Sequence, residues 1–134
     1  MADTFELELV TPERQLLKEQ VEEAQIPGKE GYLGVLPGHA PLLTELGTGY
    51  MHYTVGGRKR YLSIHGGFAE VLPDRVRILA DACERAEEID VERARRALER
   101  AQHEMQDASL GVDPAVALSA AARAQARLEA AAHK

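Results

Sequence analysis

The sequence predicts an α+β chain: a flattened β-sandwich or barrel followed by an antiparallel two-helix hairpin. Three observations carry this. Up to about residue 85, apolar and polar residues alternate in short runs. Most of the glycines and prolines fall in that stretch, between the runs, where they punctuate strands. From Glu84 the composition turns to Ala, Arg and Glu, and apolar residues recur at helical spacing. The division is residues 1–85 for the β part and 86–134 for the helical part.

FELEL at 5–9 alternates strictly, with Phe5, Leu7 and Leu9 on one side and Glu6 and Glu8 on the other. That is a half-buried strand. TPER is a turn, VEEAQI at 21–26 a weaker strand, and the glycine-rich GKEGYLG at 28–34 a loop between strands. Gly56-Gly57 separates two strand-like runs, and glycine tolerates the positive φ of tight hairpin turns. FAEVL and RVRIL repeat the plan around Pro73-Asp74. Many short strands with close turns argue for a sandwich or flattened barrel.

In the helical part, Ala94, Ala97, Leu98, Ala101 and Met105 form an apolar stripe. Asp90 is placed to cap this helix and Gly111 to end it. Asp113 caps the next, with Pro114 at its first position. The seam between the helices is mostly alanine, which packs closely but buries little area, so the pair is held weakly and can separate.

The totals exclude several classes. A length of 134 residues suits one domain, or one with a small appendage, and 45% hydrophobic residues suffice for a core. With 4% aromatics that core is aliphatic. A net charge of −6 argues against binding nucleic acid, whose phosphates want clustered positive charge. The single cysteine, Cys83, excludes an internal disulfide and fits a reducing compartment. The N-terminal stretch lacks the features of a signal peptide. No segment approaches the roughly 20 apolar residues of a membrane span, so any membrane link runs through partner proteins.

No catalytic motif stands out. The five histidines show neither HxH nor HExxH spacing with carboxylate support, which argues against a metal site. His39, between Pro37 and Pro41, reads as a ring that hydrogen-bonds a turn or meets a partner. His52 and His65 fall on the polar sides of strands. Cys83 reads as a buried structural thiol. GKEGYLG lacks the Gly-Lys-Ser/Thr ending that cradles phosphates. The arginines say more. Arg93, Arg96 and Arg100 share one face of the first helix, and Arg123 and Arg127 one face of the second. Folded together they make a cationic patch suited to phosphate or carboxylate. The competing reading is a solvated face laced with pairs such as Arg95 to Glu99, although Arg123 and Arg127 have only Glu129 near them in sequence.

LGVLPGHAPLLTEL at 33–46, GGFAEVLPDRVRILAD at 66–81, and the pattern Ala82-x-x-x-Ala86-x-x-Ile89-Asp90 together resemble the ε subunit of bacterial F-type, proton-translocating ATP synthases. VTPER near the start and ARAQARL near the end fit as well, so the likeness spans essentially the whole chain. The resemblance implies about ten strands and two C-terminal helices. It implies a non-catalytic subunit of the rotor stalk that binds gamma and the c-ring on the cytoplasmic face of the plasma membrane, peripherally. It also implies a switch: helices folded down permit turnover, and helices extended towards the beta subunit block ATP hydrolysis.

The resemblance further implies ATP as a regulatory ligand, with no cofactor required. The family motif Ile/Leu-Asp-x-x-Arg-Ala stands here as Ile89-Asp90-Val91-Glu92-Arg93-Ala94. The carry-over adds Glu84, Arg100, Arg123 and Arg127, but not Arg96. Contacts to the c-ring or gamma fall on Glu30, Tyr32 and His39. Many relatives carry an acid where Tyr32 stands, so packing and a hydroxyl hydrogen bond replace charge there. Two other classes compete: a stand-alone ATP-binding sensor without a synthase partner, and a small β-barrel enzyme with His39 or His65 as a ligand.

Overall fold

The computed structural model describes residues 3–133. Eight strands come first: β1 (Phe5–Val10), β2 (Gln15–Val21), β3 (Glu23–Gly28), β4 (Gly31–Val35), β5 (Leu42–Val55), β6 (Arg58–Val71), β7 (Arg75–Ala80) and β8 (Cys83–Arg85). A 3-10 turn at Ala86–Glu88 leads into α1 (Val91–Gln106), and a second at Ala108–Leu110 precedes α2 (Pro114–Ala131).

The strands hydrogen-bond in the order β2-β1-β7-β6-β5-β3-β4, with β8 paired to β6. β1 runs parallel to β7, and the other pairings are antiparallel. The resemblance implies about ten strands; the described residues form eight, with β5 and β6 each running 14 residues as one strand. The register runs on unchanged, but the pair Gly47 and Gly66 drops out of the ladder between Leu46↔Gly67 and Thr48↔His65, where Gly66 and Gly67 take positive φ and bend β6. On one side of that bend β6 pairs with β7, and on the other with β8. Gly67 sits at the switch with φ 119°, and a Cβ there would lie 2.1 Å from the Leu79 carbonyl oxygen. Only glycine permits that approach.

The β5–β6 hairpin closes through Gly56 and Gly57, both at positive φ, with Val55 opposite Arg58. GKEGYLG is not a loop. Ile26 pairs with Leu33 and Pro27 with Tyr32, so β3 and β4 form a hairpin turned at Lys29-Glu30. Its glycines had hidden the buried apolar residues on the two strands, Ile26 on β3 and Val35 on β4.

The core is aliphatic, built on Leu7, Leu9, Val21, Ile26, Leu62, Ile64, Val71, Val76 and Ile78, with Phe5 and Met51. Each such side chain contributes about 1.5–3 kcal/mol on burial. No helical residue belongs to this cluster. A second, small cluster joins Ile89 to Ala130 and Ala131, with Tyr50 and Val91 against it.

The helices pack as a hairpin, with α2 also lying against β5 and β6. The seam is alanine as expected: Ala94 and Ala101 are the buried residues of α1, and Ala117, Ala121, Ala124, Ala126, Ala130 and Ala131 those of α2. Ala97 and Met105, both predicted on the stripe, are exposed. Asp90 and Asp113 cap the two helices through Arg93 N and Ala115 N. α1 stops at Gln106, before Gly111, because Asp107 turns its side chain onto Ser109 N and starts a 3-10 turn. Gly111 ends that turn with φ 71°.

Candidate functional site: a cleft between β8 and the two helices

The start of α1, the end of β8 and the second half of α2 enclose a cleft of about 250 Å³. Its walls are Glu84, Glu88, Asp90, Arg93, Ala94 and Arg127, with Ala97 beyond. Five of the eight residues singled out in the sequence therefore meet here, drawn from three elements. The cap on α1 fixes Asp90 and, one turn on, Arg93. The short β8 places Glu84, whose Oε1 accepts from Arg127 Nε at 2.5 Å. Ala94 is 2% exposed and lets the two helices approach.

The other three stand elsewhere. Ile89 is buried against Ala130 and Ala131, so it anchors the entry of α1 to the end of α2. Arg100 lies further along α1, in an adjoining groove that also includes Arg93 and Arg96, and Glu104 stands 3.8 Å from it. Arg123 donates to Ser119 Oγ at 2.8 Å and lines neither groove. The five arginines thus do not share one pocket: Arg93 and Arg127 line the cleft, Arg96 and Arg100 line the adjoining groove with Arg93, and Arg123 lines neither.

The charges are better balanced than the sequence suggested. Glu84, 43 residues from Arg127 in the chain, neutralises it. Glu88 bridges Arg14 at 3.1 Å and accepts from Arg85 N, which holds its carboxyl below the usual range. Arg95 pairs with Glu92, not with Glu99. Among the described residues Arg93 makes no ion pair, so its guanidinium is available to an incoming anion. Arginine on both walls can grip a phosphate, and the carboxylates of Glu84, Glu88 and Asp90 beside them can accept from a hydroxyl or amine.

The partner-facing candidates fall on and around β4. Glu30 is exposed at the turn before β4, and His39 follows the far end of β4. Tyr32 is 48% exposed, its ring 5.5 Å from Tyr50 and its hydroxyl over Gly49. Partial burial raises its hydroxyl pKa. His39 Nδ1–H donates to the Ala40 carbonyl at 2.7 Å, while Gly38 N–H ties the same turn to the Pro73 carbonyl at 2.8 Å.

His52 and His65 are buried, each 7% exposed, rather than on polar faces. His52 is covered by Tyr61 and bonded to Glu23 at 3.0 Å, and α2 covers the stretch of β6 that holds His65. Cys83 is buried, and burial pushes its thiol up to about 12. Sequence reasoning missed an aromatic stack at the end of α2. His133 lies 4.2 Å from Tyr61, nearly parallel, and 5.9 Å from Tyr50. Its members are scattered along the sequence and become neighbours only when α2 docks.

The β part, residues 4–86, matches the family model described as ATP synthase, Delta/Epsilon chain, beta-sandwich domain. Residues 87–132 match the long alpha-helix domain of the same chains. The ATP synthase epsilon chain of Solibacter usitatus is 64% identical over 96% of both chains. This chain belongs to the ATP synthase epsilon-chain family. The epsilon chain of Koribacter versatilis is 59% identical, over 79% of this chain and 75% of its own. A chain in the structure of the Euglena gracilis mitochondrial ATP synthase OSCP/F1/c-ring superposes with TM-score 0.84 at 32% identity, covering 99% of this chain and 84% of that one. A chain of the Tetrahymena thermophila mitochondrial ATP synthase shares the fold, with TM-score 0.55 at 17% identity over 64% of this chain and 69% of its own. In this epsilon-family chain the helices are folded down onto the β part, and the cleft exists only because they are.

Proposed function

We propose that this chain is a non-catalytic subunit of the central rotor stalk of an F-type ATP synthase, docked on gamma and the c-ring and peripheral to the membrane. The observation that carries this is the 64% identity to an ATP synthase epsilon chain over 96% of both chains. Its groups of chemical potential serve structure: Cys83 is buried and His39 closes a turn. No helix among the described residues is long and apolar enough to cross a membrane.

The folded-down hairpin is one state of a switch. Released from the sheet, the helices reach the beta subunit and oppose ATP hydrolysis. ATP in the cleft between Arg93 and Arg127 favours the folded-down state by its differential affinity for it. The alanine seam supports this reading, since a bistable element needs states only a few kcal/mol apart. A stand-alone sensor has no observation of its own to favour it. The deciding experiment mixes the chain with an ATP synthase head of alpha, beta and gamma. Co-purification and slowed ATP hydrolysis are expected, and a chain that neither binds nor inhibits removes the rotor reading.

A further inference from the structure

β6 carries His65 to the place where α2 crosses the sheet, and the ring is 7% exposed. Its Nε2 lies 3.1 Å from Ser63 Oγ. Its Nδ1 is buried without a hydrogen-bond partner. A neutral imidazole needs one donor and one acceptor contact, and an unused lone pair on the second nitrogen is a tolerable loss. A protonated ring has two N–H donors and a charge, and a buried, unpaired N–H of a cation is costly. The charged groups that bear on the ring are Arg127 and Arg123 from α2 and Glu84 from β8. Glu84 is already engaged by Arg127. Thr48, opposite on β5, is uncharged. Docked α2 thus brings Arg123 and the Glu84-paired Arg127 to bear on His65, and the ring's free nitrogen has no partner.

We infer that His65 makes the docking of α2 pH-sensitive: protonation of its imidazole expels the helix, so acidification moves the chain towards the undocked state. This rests on the switch proposed above and adds what biases it. Burial first, then the arginines, hold the docked ring down to about 4, against 6.5 for a free histidine. With the docked value lowered, the contribution to docking is fully present above pH 6.5 and is lost as pH falls from 6.5 towards 4. Undocking removes Arg123 and Arg127 and opens the ring to water, restoring its affinity for the proton.

The test places spectroscopic labels at Ala122→Cys on the exposed face of α2 and Arg58→Cys at the β5–β6 turn. Cys83 stays, since its thiol is buried. The inter-label distance distribution of the full chain is measured from pH 7.5 to 5.5. The undocked-to-docked ratio should rise about tenfold over that range, and the rise should vanish in His65→Gln with circular dichroism unchanged. Should that variant unfold, the imidazole is followed by NMR in the unsubstituted chain, where a midpoint well below 6.5 is expected. A ratio flat with pH, an equal rise in His65→Gln, or a midpoint near 6.5 overturns the inference. Undocking that is present but pH-independent leaves the switch standing while removing His65 from it. A helix that stays docked on the head it inhibits removes the switch itself.

Discussion

Arg127 on α2 and Glu84 on β8, 43 positions apart in the chain, meet at 2.5 Å and close a loop that contains all of α1. Both side chains are about one-third exposed, at 32% and 35%. Solvent screens the pair, so it adds only about 0.5–1 kcal/mol to docking. Its second effect is positional: it holds a guanidinium at the mouth of the cleft, across from Arg93. One contact therefore serves both the hold on α2 and the reception of an anion.

Arg93 and Arg127 should separate these two effects. Arg93→Ala and Arg127→Ala should each weaken ATP binding about tenfold or more, since a charged hydrogen bond is worth roughly 1.5–3 kcal/mol. Only Arg127→Ala should also speed amide hydrogen exchange in α2, because Arg93 has no partner whose loss would loosen the helix. Calorimetric titration with ATP and exchange mass spectrometry read the two effects independently. Unchanged affinity in both variants would sink the clamp.

Ending the chain after Asp90 should leave a folded β part. The main cluster draws nothing from the helices, whereas Ile89 loses Ala130 and Ala131. The truncated chain should still co-purify with gamma and should no longer slow ATP hydrolysis. Retained inhibition would place the inhibitory contact on the β part instead.

Much of this fold was legible in local pattern. Phe5, Leu7 and Leu9 announce a strand by alternation, Gly56-Gly57 a hairpin, and Asp113-Pro114 a helix start, because each signal acts over a few residues. What stayed hidden depends on contacts distant in sequence. His65 looks polar-facing until α2 covers it. Arg127 looks unneutralised until β8 brings Glu84. The resemblance implies about ten strands, and the local pattern does not show that β5 and β6 each run on as one strand past Gly47 and Gly66. At the cleft, helical spacing found the arginines but could not say that Arg100 and Arg123 lie off the centre formed by Arg93 and Arg127.

The bend in β6 gives a stability prediction. Gly67→Ala forces a Cβ to 2.1 Å from the Leu79 carbonyl oxygen at φ 119°. Backbone strain and displaced pairing should cost at least about 2–4 kcal/mol, a fall in melting temperature of roughly 10 °C. Gly56→Asn at the hairpin turn should stay within about 0.5 kcal/mol, since asparagine tolerates that turn and nothing lies within 4 Å. Thermal denaturation of the two variants side by side checks both, and equal melting points would refute the assigned bend.

Cys83 supplies the pH prediction. Burial pushes its thiol from the ordinary 9.0 up to about 12. A group whose folded pKa is raised stabilises the fold fully below its unfolded value and progressively less as pH climbs to the folded value. Folding should therefore lose about 1.4 kcal/mol per pH unit from this thiol between about 9 and 12. Cys83→Ala should flatten that part of the profile in urea titrations at pH 8, 9.5 and 10.5. In the native chain at pH 8 the thiol should resist iodoacetamide and react only once urea unfolds the β part, because alkylation needs an exposed thiolate. Rapid native alkylation, or an alkaline slope untouched by Cys83→Ala, would show that β8 opens far more readily than its pairing with Leu62–Ile64 on β6 implies.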